Sequence, residues 1–277
     1  MSELQQKLRW GAARARFDLR KRLEHDIAVR DGDETYVFRC RSLDEYVRAE
    51  SFHYKEKGTV ALLRDELEAG DVFCDVGANI GIYTIPAAKH VGPAGRIYAF
   101  EPHAGNLVSL LENIALNGVS DRVSVLSCAL HDATRVSDFR YTDLGAGTSM
   151  SQFESERDAF GRAVSPVALE LKYAATLDDL IDSDVVRPPG LVKIDVDGNE
   201  LLVLRGMRRL LAGESSPRAI QVEVNPDERD ELMAFMTDAR FDLASRHYTE
   251  GAERMLEAGM SEERVPFNGV FRPATPR

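Results

Sequence analysis

Residues 72–84 read VFCDVGANIGIYT, and this stretch constrains the fold more than any other part of the chain. A short apolar run ends at glycines, and apolar residues then recur at helical spacing, which predicts a strand, a tight turn and a helix. Gly77 and Gly81 can take positive φ angles and let a ligand lie against bare backbone, while the first N–H groups of the helix point toward it. Asp75, at the strand end, would bring a carboxylate to the same ligand.

The spacing within this loop discriminates between nucleotide ligands. Dinucleotide sites use the pattern GxGxxG, but Asn79 and Ile82 stand where its second and third glycines would be. A pyrophosphate is therefore disfavoured, and with it an NAD-dependent oxidoreductase. The next predicted strand ends at Glu101, 20 residues beyond Gly81. An acid at that separation accepts the ribose hydroxyls, so the two motifs together predict a nucleoside ligand.

At this point the chain resembles the S-adenosylmethionine-dependent methyltransferases, and three further segments make it similar to their FkbM-type family. The segments are FEP at residues 100–102, CALHD at 128–132 and KIDVDGNE at 193–200. The resemblance covers residues 59–226 and implies an α/β, doubly wound, Rossmann-like fold with a mostly parallel seven-stranded sheet. It also implies S-adenosylmethionine as cofactor. The residues expected to bind it are Asp75, Gly77, Ala78, Asn79, Gly81, Glu101, Pro102, Cys128, Ala129, Leu130 and Asp195.

The expected adenine contact departs from the common pattern. Many relatives place an aspartate at the end of the third strand, against the adenine amino group, whereas Ala129 offers only its backbone here. We expect contact with adenine at Cys128, Ala129 and Leu130 from their position alone. His131 and Asp132 are interpreted as the start of the next turn.

The KIDVDGNE segment supplies the candidate catalytic residues. An apolar strand ends here in acids, at the sheet end that faces the binding crevice of an open parallel sheet. Asp195 is the best candidate for a group near the transferred methyl, as general base, as an orienting group or as a cation ligand. Its alternative role is to cap a helix predicted over residues 199–211. Lys193 would pair with these acids or approach the substrate, and Glu223, at the end of the next strand, would stand beside Asp195.

A divalent metal at this sheet end is allowed by the residues but not expected. Asp195, Glu223 and Asn225 offer the oxygen ligands that Mg²⁺ prefers, and such an ion would acidify a bound hydroxyl. The family resemblance does not imply a metal. A hydrogen-bonding role for Glu223 is the simpler interpretation.

Composition sets outer limits on function. The 277 residues are 44% hydrophobic and 29% charged, and a net charge of −11 argues against a general nucleic-acid surface. No apolar run approaches the ~20 residues of a membrane span, and no signal-type apolar core opens the chain, so we expect a cytoplasmic protein. The cysteines are odd in number and widely spaced, which predicts buried free thiols. They are Cys40, Cys74 and Cys128.

Residues 1–58 are predicted to form a cap on a methyltransferase domain of residues 59–277. The cap begins with a basic amphipathic helix at residues 4–24 and continues with a hairpin and a short helix opened by a capping box. The apolar stripe of the first helix is expected to pack on the body of the protein or on a second subunit of a homo-oligomer, with contact with a membrane surface or an anionic partner as the alternative. The stripe consists of Leu4, Leu8, Ala12, Ala15, Leu19 and Leu23.

In the domain, alternating strands and helices predict a parallel sheet, with a third strand over residues 123–129. Two late strands are predicted over residues 241–246 and 265–271, and the methyltransferase resemblance implies that they form the antiparallel edge pair of the sheet. Residues 142–166 are predicted to be irregular and to form either a substrate lid or a plain surface loop.

The resemblance implies O-methylation of a hydroxyl, commonly on a sugar or another secondary metabolite. The Asn/Asp-Pro-Pro-Tyr/Phe signature of amino-methylating enzymes is absent after the fourth strand, where residues 193–196 read KIDV. Oxygen is therefore favoured over nitrogen as the acceptor atom. A peptide, lipid or nucleic-acid acceptor is the alternative within the class. A non-catalytic nucleoside-binding scaffold is the alternative outside it.

Overall fold

The computed structural model describes residues 10–11, 13–16, 18–19, 24–157 and 161–274. The predicted helix over residues 4–24 lies largely outside the described residues. Those described between positions 10 and 19 are helical, and Leu19 of the predicted stripe is exposed. A subunit contact through this helix stays a prediction.

The described strands and helices alternate along most of the chain. They are β1 (His25–Asp31), β2 (Glu34–Cys40), α1 (Leu43–Glu50), α2 (Lys57–Glu66), β3 (Val72–Val76), α3 (Thr84–Val91), β4 (Arg96–Phe100), α4 (Ala104–Leu116), β5 (Val123–Leu126), β6 (Ala129–Leu130), β7 (Arg135–Tyr141), β8 (Gln152–Phe153), β9 (Ala168–Ala175), α5 (Leu177–Asp182), β10 (Leu191–Ile194), α6 (Glu200–Arg205), α7 (Arg208–Ala212), β11 (Ala219–Val224), α8 (Arg229–Asp238), β12 (Phe241–His247), α9 (Glu250–Glu257) and β13 (Phe267–Pro273).

Seven of these strands form the central sheet, in the order β12-β13-β11-β10-β3-β4-β5. Strand β13 runs antiparallel to both of its neighbours, and the other neighbouring strands pair in parallel. The predicted doubly wound sheet and its antiparallel edge pair are therefore confirmed. All carboxyl ends of the parallel strands meet at one edge, which is where ligands bind in open sheets of this kind.

The sheet separates two hydrophobic cores. Phe73 and Leu191 face one core, whereas the adjacent Cys74 and Val192 face the other. Strands that are buried on both faces are largely apolar, which is why the core strands were recognisable in the sequence. The first core also includes Phe38 of the hairpin, so the predicted cap packs directly on the sheet layer.

Side-chain amides fasten the hairpin to α4. Asn117 accepts from the Val37 N–H at 2.9 Å and donates to the Val37 carbonyl at 2.7 Å. Asn113 accepts from the Arg39 N–H at 2.9 Å. These amides satisfy backbone groups of an edge strand that would otherwise lack a partner.

Several local predictions are confirmed. The Ser42 hydroxyl accepts from the Glu45 N–H, and the Glu45 carboxylate accepts from the Ser42 N–H, as a capping box requires. The three cysteines are buried and unpaired. Within the described part of the chain, no helix has the length and apolar character needed to cross a membrane.

The prediction of a third strand over residues 123–129 was wrong at the C-terminal boundary. Strand β5 stops at Leu126, the chain bends, and β6 then pairs in parallel with β9 in a second sheet of order β6-β9-β7-β8. The apolar run continues across the bend, so the pattern alone gave no sign that the chain changes sheets. The segment predicted as irregular, residues 142–166, contributes β8 to this second sheet.

The single helix predicted over residues 199–211 is two helices, α6 and α7. They are separated at Gly206, whose backbone lies so close to the second sheet that a Cβ would stand 2.0 Å from the His131 carbonyl oxygen. Glycine is a poor helix former but permits this approach. Packing between layers therefore decided where the helix breaks.

Candidate functional site

The loop after β3 is held in an unusual backbone conformation. Gly77, Asn79 and Gly81 have φ angles of 81°, 51° and 92°. A Cβ on Gly77 would lie 1.9 Å from the carbonyl oxygen of Asp195, so the loops that follow β3 and β10 touch through bare backbone. Only glycine permits that contact without displacing one of the two loops.

Three of the predicted cofactor residues support this loop and do not line the cavity beside it. Asp75 is fully buried, and its Oδ2 accepts from the Thr84 hydroxyl at 2.6 Å. Ala78 is buried and donates its N–H to the Phe100 carbonyl at 3.0 Å. Gly81 packs closely against the side chain of Leu110. Their roles in cofactor binding stay predictions.

Glu101 follows β4 and is bound at both carboxylate oxygens. Oε2 accepts from the Asn79 N–H at 2.7 Å, and Oε1 accepts from the His103 N–H at 2.8 Å. Burial raises the pKa of Glu101 to about 7, although these two hydrogen bonds oppose the rise. A carboxylate has about four lone-pair sites, so Glu101 keeps acceptor capacity for a ligand.

A cavity connects the glycine loop with the second sheet. Eight predicted residues line it: Gly77, Asn79, Glu101, Pro102, Cys128, Ala129, Leu130 and Asp195. The sequence did not single out most of the others, which include Asn106, Phe139, Thr148, Ser149, Ser151, Phe153, Val196 and Asn199. Phe139 and Phe153 belong to strands of the second sheet that were not predicted.

Residues 143–151 close one side of the cavity. The Thr148 carbonyl accepts from the side-chain amides of Asn79, at 2.8 Å, and Asn106, at 3.1 Å. Asn106 Oδ1 also accepts from the Gly147 N–H at 2.8 Å. The segment is thus bound directly to the glycine loop and to α4. Its function as a substrate lid stays a prediction.

Lys193 is the buried cation of the site. Its side chain is 1% exposed, and its Nζ lies 3.3 Å from Asp195 Oδ2 and 3.6 Å from Asp75 Oδ1. Burial disfavours the charged ammonium, but Asp195 and Asp75 raise its pKa above the ordinary value. Burial also works against ionisation of Asp195, whereas Lys193 and the more distant Lys55 lower its pKa, which ends below its usual range. The geometry therefore stabilises an ionised Asp195.

Asp195 also belongs to a cluster of acids. Asp195, Glu200 and Glu223 each bring a carboxylate oxygen within 4.8 Å of the other two. Burial raises the pKa of Glu200 to about 7, although its carboxylate accepts from two backbone N–H groups of the preceding loop. Burial and the charge of Asp195 raise the pKa of Glu223 well above its usual range. Protons and Lys193 thus balance the charge of the cluster, and the expectation that it needs no metal stays a prediction.

The seven-stranded sheet with its reversed β13, the glycine loop after β3 and the acid after β4 together define a class I methyltransferase fold. Residues 75–243, more than half of the chain, match the Methyltransferase FkbM domain. The chain belongs to the FkbM methyltransferase family.

Two curated proteins are similar in sequence to part of this chain. The chain is 30% identical over 179 residues to hexuronic acid methyltransferase AglP of Haloferax volcanii. This alignment covers 63% of this chain and 65% of that protein. The chain is also 32% identical over 165 residues to 31-O-demethyl-FK506 methyltransferase FkbM of Streptomyces tacrolimicus. That alignment covers 51% of this chain and 61% of that protein. The chain thus spans less than two thirds of the length of either relative.

Among solved structures, methyltransferase FkbM from Methylobacillus flagellatus KT aligns with a TM-score of 0.50. The sequence identity is 17%, and the alignment covers 81% of this chain and 50% of that chain. At this identity the similarity concerns the fold alone.

Proposed function

We propose that this chain is an S-adenosylmethionine-dependent O-methyltransferase that acts on a hydroxyl of a sugar or another small-molecule metabolite. The observation that carries the proposal is that Glu101 and Asp195, from the ends of two different strands, line one cavity. The first is an acid at the position expected for the ribose, and the second is an ionised acid beside a buried lysine. The names of the two relatives, which act on a hexuronic acid and on an O-demethylated metabolite, support this class of acceptor.

The lining of the cavity fits the methyl donor that the family implies. Glu101 has lone pairs left to accept from ribose hydroxyls, and Phe139 and Phe153 offer aromatic walls to a purine. When bound, the donor supplies a methyl group on a positively charged sulfur. The acids of this cavity complement that charge.

Within this proposal, Asp195 orients the acceptor hydroxyl and would take its proton as the methyl group passes from the donor's sulfur to the hydroxyl oxygen, so that the donor leaves as neutral S-adenosylhomocysteine. Lys193 keeps Asp195 ionised before the reaction, because it stabilises the carboxylate from 3.3 Å away. Residues 143–151 cover the cavity and limit the access of water to it. Alignment of the two reactants and one proton transfer are sufficient, and no covalent intermediate with the protein is needed.

The first test is calorimetric titration with S-adenosylmethionine, S-adenosylhomocysteine and NAD. We expect the two sulfur nucleosides to bind and NAD not to bind. The variant Glu101→Ala should bind S-adenosylhomocysteine at least roughly tenfold more weakly, because hydrogen bonds to a charged group contribute about 1.5–3 kcal/mol. Glu68→Ala, at an exposed glutamate, is the matched control. Binding of NAD instead, or no binding by folded protein, would refute the proposal.

The second test concerns turnover. Purified protein is incubated with S-adenosylmethionine and hydroxylated acceptors, hexuronic acids first, while formation of S-adenosylhomocysteine is followed. With an accepted substrate, Asp195→Asn should lower the rate by roughly 10²-fold or more, while binding of S-adenosylhomocysteine persists. Donor binding without methylation of any acceptor would favour the nucleoside-binding scaffold.

A further inference from the structure

His131 combines three properties that the proposed mechanism does not use. It is 3% exposed, it lines the cavity, and its Nε2 has no hydrogen-bond partner within the described part of the chain. Buried polar atoms are nearly always hydrogen-bonded in folded proteins, so an orphan atom beside a ligand cavity points to a partner supplied by the ligand.

The surroundings of His131 decide whether this partner is a donor or an acceptor. Nδ1 lies 2.7 Å from Asp132 Oδ1. Burial works against ionisation of Asp132, but Arg135 and His131 lower its pKa, so the carboxylate is ionised and only accepts. Because a carboxylate cannot donate, we assign the proton to Nδ1. Burial lowers the pKa of His131 and keeps the ring neutral, which leaves Nε2 as a bare acceptor.

Arg135 is compatible with this tautomer. Its Nη2 lies 2.9 Å from His131 Nδ1, but the same guanidinium donates to Asp132 at 2.9 Å through Nη1 and to Glu154 through Nε and Nη2. The guanidinium thus has two carboxylate partners and a weaker contact from Nη1 to the Ala133 carbonyl at 3.4 Å, so it does not depend on Nδ1 as an acceptor. Asp132, Arg135 and Glu154 form a chain that fixes the imidazole in one orientation.

Topology relates His131 to the purine end of the proposed ligand. Strand β5 neighbours β4, so a ligand whose ribose lies at Glu101 extends along the sheet edge toward the chain that leaves β5. That chain passes through Ala129, whose side chain accepts no hydrogen bond, and reaches His131. The ring of Phe153 stands against the imidazole in an edge contact, with centroids 5.2 Å apart, and lines the same cavity.

We propose that Nε2 of His131 accepts a hydrogen bond from the exocyclic amine of the donor's purine and makes the cavity selective for a 6-aminopurine. This inference rests on the proposed function, because it concerns the methyl donor of the same cavity. It assigns the recognition of the amine to an imidazole held by Asp132, at a site where Ala129 offers no side-chain acceptor.

The experiment compares two ligands by calorimetry. One is S-adenosylhomocysteine, and the other is its 6-deamino analogue, in which hydrogen replaces the purine amine. The wild-type protein should bind the first roughly threefold to tenfold more tightly, the range of one neutral hydrogen bond. In His131→Phe, S-adenosylhomocysteine should bind about as weakly as the analogue, and the analogue should bind as it does to the wild type. His53→Phe, at an exposed histidine of the predicted cap, is the matched control and should keep the wild-type preference.

A second measurement does not depend on a variant that folds. In the ¹⁵N spectrum of the wild-type protein, Nδ1 of His131 should be the protonated nitrogen, and the Nε2 resonance should move with S-adenosylhomocysteine but much less with the deamino analogue. Equal wild-type affinities for the two ligands, a preference that survives His131→Phe, or a proton on Nε2 would overturn the inference and leave the proposed function intact. Failure of the wild type to bind either ligand would refute the proposed function itself.

Discussion

Replacement of Lys193 by methionine tests the charge balance of the site. The ammonium is 1% exposed and lies within 3.6 Å of both Asp75 and Asp195. Asp75 Oδ1 is buried and has no hydrogen-bond partner in the described structure, so the substitution would also remove the positive charge that lies 3.6 Å from it. Breaking a buried ion pair costs about 3–5 kcal/mol. Because the side chain of Asp195 is 31% exposed and can be rehydrated, we expect the lower end, about 3 kcal/mol.

The pH dependence follows from the direction of each pKa shift. The pKa of Lys193 is raised in the folded protein, so its contribution is fully present below the unfolded pKa of ~10.4 and is lost as the pH rises through the folded value. The pKa of Asp195 is lowered, so its contribution is present above the unfolded pKa of ~3.9 and is lost as the pH falls through the folded value. The difference between wild type and Lys193→Met should therefore be largest between about pH 5 and 9 and should narrow below about pH 4.

The assay is urea unfolding followed by far-UV circular dichroism at several pH values. Lys57→Met is the control, because that lysine is 61% exposed, lies 3.6 Å from Glu253 and should contribute less than about 1 kcal/mol. The double variant Asp75→Asn, Lys193→Met should recover part of the lost stability, because the first substitution removes a buried carboxylate that no longer has an ammonium beside it. A loss no larger than that of Lys57→Met, or one independent of pH, would refute the reasoning.

Three further outcomes are expected. Because the pKa of Glu101 is about 7 in the free protein, S-adenosylhomocysteine should bind more weakly at pH 6 than at pH 8 in titrations, and Glu101→Gln should lose that dependence. Gly77→Ala should lower the free energy of unfolding by about 2 kcal/mol or more, because the added Cβ would collide with the Asp195 carbonyl oxygen. Gly32→Ala is the control: it has a similar φ with open space around it, and its free energy of unfolding should fall by only about 1–2 kcal/mol. Methyl transfer should be unchanged after dialysis against a chelator, because protons and Lys193 balance the acid cluster; a loss restored by Mg²⁺ would contradict this.

The sequence was sufficient to predict the central sheet and the residues at its carboxyl edge. Core strands such as β3 and β10 are largely apolar, each interrupted by one charged residue, and each is followed by glycines or acids, so both the strand and its functional end are visible in the pattern. The pairing of Lys193 with the acids of its own segment was predicted, and Asp195 lies 3.3 Å from it, but its second partner, Asp75, was not visible in the sequence. Asp75 and Lys193 are direct neighbours in the β3–β10 register, and no pattern within either segment fixes which residues of two parallel strands stand side by side.

The second sheet could not be predicted because in β9 the apolar residues face solvent and a charged residue faces the interior, the reverse of the usual pattern. In β9 the apolar Leu169, Leu171 and Tyr173 are exposed, whereas Lys172 between them is buried and lies over the ring of Phe139. Alternation therefore marks two faces but assigns the wrong one to the interior. The aromatic walls of the cavity depend on this sheet, so they were missed together with it.

The second sheet also changes what the carboxyl edge can do. An open parallel sheet offers only a crevice at that edge. Here residues 143–151, which connect β7 and β8, are hydrogen-bonded to Asn79 of the glycine loop and to Asn106 of α4, and they form one side of the cavity. Asn79 also donates its backbone N–H to Glu101. One asparagine thus connects the acid expected at the ribose with the segment that lines one side of the cavity, so a ligand that displaces one of these hydrogen bonds also disturbs the other.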